Sequence, residues 1–167
     1  DKAPKAAPTN TQTKILDAAE YLFVEQGYAA TSLRAIASAA GVNLAATHYY
    51  FGSKKGLFGS VFHRCVQPIN EDRLLLLKAL GESDRPLTTR SVLESFFAPL
   101  VEAVYKNRRV PTLIGRIYAE PESLTKPIVE QEFGEIAAHY QLALSEVLPD
   151  VTTEELHWRF HFMIGSM

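Results

Sequence analysis

The fold is decided by residues 13–66, TKILDAAEYLFVEQGYAATSLRAIASAAGVNLAATHYYFGSKKGLFGSVFHRCV. Apolar side chains in its first part recur at i, i+3, i+4, i+7 and i+8, at Ile15, Ala18, Ala19, Leu22 and Phe23. This spacing places them on one face of an α-helix and predicts a helix that buries that face. Gly27 follows the last apolar position, where a glycine commonly ends a helix.

Three more helices are predicted in the same segment. Thr31 is a candidate N-cap for a second short helix, which stops at Gly41. Asn43 is placed to cap a third helix that ends near residue 50 or 51, before Gly52. Ser53 is placed to cap a fourth, longer helix. Three short helices with a tight glycine turn between the second and the third predict a helix-turn-helix unit.

The third helix has the residue types that a duplex groove requires. Its two alanines, Ala45 and Ala46, permit close approach and could touch thymine methyl groups, and a tyrosine hydroxyl can donate to a phosphate. Tyr49 and Tyr50 could instead be core aromatics, and we favour Tyr49 for the DNA contact. The amide-bearing helix starts at residues 31–32 and 53–54 can bind phosphates. The predicted DNA contacts are Thr31, Ser32, Asn43, Leu44, Ala45, Ala46, Thr47, His48, Tyr49 and Lys54.

Beyond residue 66 the chain again has helical patterns and no convincing strand alternation. Helices are predicted over residues 67–80, 88–105, 112–120 and 123–148, and from Thr152 onward. The fold class is therefore all-α: a three-helix head joined by a long helix to a helical ligand-binding and dimerisation body. The predicted parts are a flexible arm at 1–10, the DNA-binding domain at 11–66 and the regulatory domain at 67–167. The last helix is strongly apolar, and we expect the natural protein to continue beyond it.

Composition excludes several other classes of protein. The 167 residues include one cysteine, so an internal disulfide framework is not expected. We find no apolar run long enough for a bilayer and no secretion signal, so a cytoplasmic location without membrane contact is expected. Residues 1–67 have seven basic and four acidic side chains, against ten and fifteen in the remainder. A basic first part beside an acidic remainder is typical of a DNA-binding head, although the excess is small.

Residues 13–66 closely resemble the DNA-binding domain of the TetR family of transcriptional regulators. The matching positions are Ile15 to Ala19, Leu22, Phe23, Gly27, Thr31, Ser32, Ile36, Ala37, Ala40, Gly41, Val42, Tyr49, Tyr50, Phe51, Ser53, Lys54 and Leu57. His48 and Tyr50 depart from the family pattern, which often has tyrosine and histidine there. Residues 41–58 and 158–167 also resemble the fatty-acid-responsive PsrA-type branch. That resemblance implies a long-chain acyl effector. It also implies a four-helix dimer interface built from the last two helices of each chain, of which only the first is present here.

The C-terminal body offers an apolar cavity as a further hypothesis. Its candidate ligand-binding residues are Phe97, Leu100, Arg116, Tyr118, Phe133 and His161, although core packing explains most of them equally well. His157 and His161 have metal-ligand spacing but lack the acid of a metalloprotease motif, so neither a metal nor a cofactor is expected. No nucleophile–base pair or phosphate loop is visible, which argues against an enzyme.

These observations predict a homodimeric, ligand-responsive regulator. It would be a repressor that binds double-stranded DNA at a pseudo-palindromic operator and responds to a small apolar effector. The alternative is a helical small-molecule or lipid-binding protein that does not bind an operator.

Overall fold

The computed structural model describes residues 10–165, and within them the side chains of all but residues 161, 164 and 165. This part of the chain forms eight α-helices and no strand, which confirms the predicted all-α class. The helices are α1 (Asn10–Ala30), α2 (Leu33–Ala40), α3 (Leu44–Phe51), α4 (Lys54–Gly81), α5 (Thr89–Lys106), α6 (Arg109–Ala119), α7 (Glu122–Val147) and α8 (Thr153–Gly165). Apart from Asn10, the predicted arm at 1–10 lies outside the described residues.

The chain divides into two compact units. The first contains the described residues up to Arg64 together with Arg109–Thr125, and the second contains Cys65–Arg108 and the described residues from Lys126 onward. Residues 109–125 were assigned to the regulatory domain from the sequence, whereas the structure groups them with the N-terminal helices. The physical reason is that α6 packs on α1.

The first unit is built around the apolar face predicted for α1. Phe23 is fully buried and meets Phe58 of α4 edge to face, with ring centroids 5.0 Å apart. Such aromatic pairs add stabilisation beyond the area they bury. The apolar stripe of α6 closes the same unit through the buried residues Val110, Leu113 and Ile117. The unit is therefore a core of α1, α4 and α6 residues, and α2 and α3 pack on α1.

Local backbone signals set the ends of the short helices. Asn43 caps α3 by accepting a hydrogen bond from the Ala45 amide at 2.8 Å, as predicted. Ser53 likewise accepts from the Gly56 amide at 3.0 Å. Gly41 has φ 64°, the left-handed conformation that the tight turn requires and that glycine adopts without penalty. The prediction for Thr31 is wrong, because the N-cap of α2 is its neighbour Ser32.

The second unit has its own aromatic core and a buried polar network. Its core residues are Val92, Phe96, Ile136, Tyr140, Leu144, Leu156 and Phe160. The buried Arg73 guanidinium donates to the Phe96 carbonyl oxygen at 2.9 Å and to Asn70 Oδ1 at 3.0 Å. The Tyr140 hydroxyl donates to the Arg73 carbonyl oxygen at 3.0 Å. Hydrogen bonding of this kind offsets the cost of burying polar groups in an apolar core.

Pro68 lies inside α4, which extends from Lys54 to Gly81. Along residues 10–165 no helix combines the length and the apolar character that crossing a bilayer would require.

Candidate nucleic-acid interface

One face of α3 is open to solvent and combines one very small side chain with larger polar ones. Ala45, His48 and Tyr49 are exposed, and the Tyr49 side chain has 84% of its surface accessible. Asn43 is also exposed at the start of the helix. Because Ala45 has only a methyl side chain, a flat partner can approach the backbone closely here. Tyr49 and His48 supply polar atoms within the same face.

The helices before and after α3 in the sequence, α2 and α4, each have an N-terminus with an exposed serine. Ser32 is exposed at the N-terminus of α2, where its hydroxyl accepts from the Ala35 amide at 3.1 Å. Ser53 is exposed at the N-terminus of α4. Free amide groups and the helix dipole make such ends favourable for anions. Both ends also carry an exposed cation, Arg34 on α2 and Lys55 on α4. The Lys55 ammonium group also donates to the Ser123 carbonyl oxygen, at 3.4 Å.

Arg34 and Lys55 were not among the contact residues predicted from the sequence. The available signal was their position, since each follows a capping serine by two residues. A side chain in the first turn of a helix lies close to an anion that binds at that helix end.

Two residues predicted to contact DNA are buried instead. Thr31 has 1% of its surface accessible, and its hydroxyl donates to the carbonyl oxygens of Gly27 at 2.7 Å and Leu22 at 3.2 Å. Thr47 is fully buried and donates to the Leu44 carbonyl oxygen at 2.6 Å. Neither hydroxyl is presented to solvent, which corrects these two assignments. Leu44 and Ala46 are half-buried.

Lys54 also differs from the prediction that its ammonium group binds a phosphate. Its Nζ donates to the carbonyl oxygens of Tyr28 at 2.8 Å and Thr31 at 2.9 Å. It also lies 4.2 Å from the centre of the Tyr28 ring, a cation–π contact. Because its ammonium group is hydrogen-bonded to carbonyl oxygens at and just after the end of α1, Lys54 stabilises the first unit.

The end of α1 forms further hydrogen bonds with Arg116 of α6 and with Glu120, the residue that follows α6. Arg116 Nη2 donates to the Val24 carbonyl oxygen at 3.1 Å, and Glu120 Oε1 accepts from the Tyr28 amide at 3.2 Å. Partial burial, and secondarily the Glu120 carboxylate, raise the pKa of the Tyr28 phenol above its ordinary value. The Arg116 guanidinium is thus bonded to the main chain of α1, and its predicted role in orienting a ligand stays a prediction.

The other predicted ligand-binding residues are divided between the two units. Tyr118 belongs to the first unit and is 52% exposed. Phe97, Leu100 and Phe133 belong to the second unit and are half-buried, and the Phe97 ring packs edge to face on Phe96 at 5.3 Å. The side chain of His161 lies outside the described residues.

A groove along α5 in the second unit has a volume of about 680 Å³, and its apolar lining residues are Phe97, Ala98, Val101 and Tyr105. Within residues whose side chains are described, no three histidine, cysteine, aspartate or glutamate side chains come together as a metal site. His157 Nδ1 lies 3.2 Å from Gln141 Nε2.

Two family models match the chain. The model of bacterial regulatory proteins of the tetR family matches residues 15–61. The model described as a tetracyclin repressor-like C-terminal domain matches residues 94–167. The first match contains α2, α3 and most of α1, and the second contains α6.

Similar proteins include two curated bacterial regulators. The chain is 46% identical over 137 residues to the probable HTH-type transcriptional regulator YttP of Bacillus subtilis, covering 82% of this chain and 64% of that protein. It is 30% identical over 128 residues to the HTH-type transcriptional regulator AcrR of Shigella flexneri, covering 77% of this chain and 57% of that protein. The chain thus spans less than two thirds of either relative.

Among solved structures, the fatty acid degradation regulator FadR of Bacillus halodurans has a TM-score of 0.73 to this chain at 14% identity. The match covers 95% of this chain and 82% of that one. At this level of identity the likeness concerns the fold.

Proposed function

This chain belongs to the tetR family of bacterial regulatory proteins, and we propose on that basis that it binds operator DNA as a transcriptional regulator. Helix α3 would enter the major groove, the docking mode of helix-turn-helix proteins. The observation that carries the proposal is the exposed face formed by Asn43, Ala45, His48 and Tyr49.

The roles of these residues follow from their chemistry. The Ala45 methyl group suits contact with a thymine methyl, and Asn43 and His48 can exchange hydrogen bonds with base edges or phosphates. The Tyr49 hydroxyl would donate to a phosphate oxygen. Arg34 and Lys55 would add attraction to the phosphate backbone that weakens as salt rises.

The regulator would act as a homodimer. Two α3 helices related by a twofold axis would bind a pseudo-palindromic site, with half-sites separated by about one helical turn, ~34–36 Å. We further propose that it is a repressor and that an apolar ligand lowers its affinity for DNA by binding one of two conformations better.

The proposed effector class is a fatty acid or acyl-CoA. An acyl chain suits the apolar side chains of the second unit, among them Phe97, Val101 and Tyr105 of α5. A regulator of fatty acid degradation is among the proteins that share this fold. This chemistry would make release from DNA a response to lipid supply.

Selection of bound duplexes from a random DNA library tests DNA binding. We expect the purified chain to enrich a pseudo-palindromic sequence and to bind it with an affinity that falls as salt is raised. Ala45→Glu places a carboxylate on the exposed α3 face and should abolish this binding while the thermal midpoint stays near that of the parent chain. Glu146→Ala, a change at an exposed residue of α7, serves as the control.

Failure to enrich any duplex would contradict the proposal and favour a helical ligand-binding protein without an operator. Full affinity in Ala45→Glu would show that another surface binds DNA. Native mass spectrometry with palmitate and palmitoyl-CoA tests the effector and the dimer together. A monomer mass, or no adduct with either lipid, would contradict those two parts.

A further inference from the structure

The last residues of α1, from its non-helical Gly27 onward, and the residue that follows the helix form a short segment. Side chains bind the main chain of this segment from two sides. We name residues 27–31 the α1–α2 junction. Gly27 has φ 79° and ψ 171°, a conformation that is essentially restricted to glycine. The helical hydrogen-bond pattern is broken there, so main-chain groups near the junction need partners from elsewhere.

Arg116 of α6 and Glu120, which directly follows α6, supply partners on both sides of Gly27. Arg116 donates from Nη2 and Nε to the Val24 carbonyl oxygen, at 3.1 and 3.3 Å, just before the glycine. Glu120 accepts from the Tyr28 amide at 3.2 Å, just after it. A Cβ on Gly27 would lie 3.5 Å from Arg116 Nη1 and 3.8 Å from Glu120 Oε1, so both side chains pack directly over the glycine.

The junction is held from its other end by α4 and by its own threonine. Lys54 binds the carbonyl oxygens of Tyr28 and Thr31, and the Thr31 hydroxyl donates to the Gly27 carbonyl oxygen. Ser32, the N-cap of α2, is the next residue in the chain. A shift of the junction therefore displaces the start of α2, and α2 in turn packs on α3.

We propose that Arg116 and Glu120 are positioning residues for DNA binding, which fix the α1–α2 junction and thereby the exposed start of α2. The inference rests on the proposed DNA-binding function. It assigns a task to α6 and to the residue that follows it. The charges of Arg116 and Glu120 alone do not indicate this task, because both side chains bind main-chain groups. Neither residue needs to touch DNA for its loss to weaken binding.

The test compares isosteric and truncating changes at the same position. Glu120→Gln keeps an oxygen that can accept from the Tyr28 amide, whereas Glu120→Ala removes the acceptor. We expect Glu120→Ala and Arg116→Ala to lower affinity for the duplex selected by the parent chain about tenfold, within the usual range of coupling between sites. Glu120→Gln should bind close to the parent value.

Ile117→Val is the control for general destabilisation, because it thins the buried face of the same helix and leaves both junction contacts intact. It should bind the duplex normally even though its thermal midpoint falls. Hydrogen exchange of the Tyr28 amide, measured by NMR without DNA, should accelerate in Glu120→Ala and not in Glu120→Gln.

Parent-like affinity in Glu120→Ala, or equal losses in Glu120→Ala and Ile117→Val at matched stability, would overturn the inference. Unchanged Tyr28 exchange in Glu120→Ala would overturn the contact itself. If the parent chain selects no duplex, the proposed function fails and the positioning role fails with it. The exchange measurement still decides whether the contact exists, so the two failures are distinguishable.

Discussion

The cationic side chains of the first unit differ in the groups that they contact. Lys54 and Arg116 bind main-chain carbonyl oxygens, and Arg64 forms ion pairs with Asp17 and Glu20 at 2.7 and 2.6 Å. Arg34 is instead exposed at the start of α2. Formal charge therefore overstates the attraction that this unit can offer to a phosphate backbone, and the exposed cations matter most.

Arg34→Ala should reduce the salt dependence of DNA binding. If Arg34 neutralises one phosphate, its loss lowers the slope of log affinity against log salt by about 0.9. Affinity measured by fluorescence anisotropy at several salt concentrations gives this slope. Lys106→Ala removes an exposed cation of the second unit and should leave the slope unchanged. Equal slopes for Arg34→Ala and the parent chain would exclude the phosphate contact.

Lys54→Met should lower stability without the same change in slope. The substitution keeps the apolar stem but removes the donor from the Tyr28 and Thr31 carbonyl oxygens. Loss of hydrogen bonds to a charged group costs about 1–3 kcal/mol of unfolding free energy. Urea denaturation followed by circular dichroism measures this cost. A parent-like unfolding free energy together with a slope smaller by about 0.9 would instead restore the phosphate role.

Replacing glycine by alanine should change stability in opposite directions in the α2–α3 turn and in α6. Gly41→Ala should destabilise by about 1–2 kcal/mol, because an L side chain is disfavoured at φ 64° even though no atom lies within 4 Å of the added Cβ. Gly115→Ala should stabilise by about 0.5–1 kcal/mol, since Gly115 lies exposed within a helix with similar free space. Thermal unfolding of the two variants should show a lower midpoint for Gly41→Ala and a higher midpoint for Gly115→Ala than for the parent chain. A stabilising Gly41→Ala would mean that the turn adopts another conformation.

Helix existence and helix ends were largely predictable because they depend on neighbours in the sequence. The cap at Asn43, the turn at Gly41 and the break at Gly52 follow from side-chain chemistry within a few residues. Thr31 shows the limit of such patterns. It and Ser32 are adjacent hydroxyl residues with similar capping ability, and packing decided which of them is buried.

The candidate surface was predictable only where exposure follows helix periodicity. Tyr49 and Ala45 are exposed as expected, whereas Thr47 is turned into the core by the same periodicity. The hydrogen bond from Arg116 to the main chain of α1 could not be predicted, because its acceptor, the Val24 carbonyl oxygen, lies 92 positions away in the sequence. Contacts of this separation depend on the tertiary fold.

The division into two units does not follow the order of the chain. Helix α6 lies within the residues matched by the C-terminal family model, yet it belongs to the first unit. Its buried residues Val110, Leu113 and Ile117 have the spacing of one helical face, which supplies apolar area to the core around α1. The first unit is thus completed by a segment that follows Arg64 by more than forty positions.

This division predicts which amides lose protection when a core residue is truncated. Leu113→Ala removes a side chain that is 1% exposed and should cost about 2–5 kcal/mol within the first unit. Hydrogen exchange followed by mass spectrometry should then show faster exchange in α1 and α6, since local opening follows cooperative units. Leu156→Ala, a comparable change in the second unit's core, should accelerate exchange in α5 and α7 instead. If Leu113→Ala left α1 protected and exposed α5 and α7, α6 would belong energetically to the second unit. The first unit would then end at Arg64.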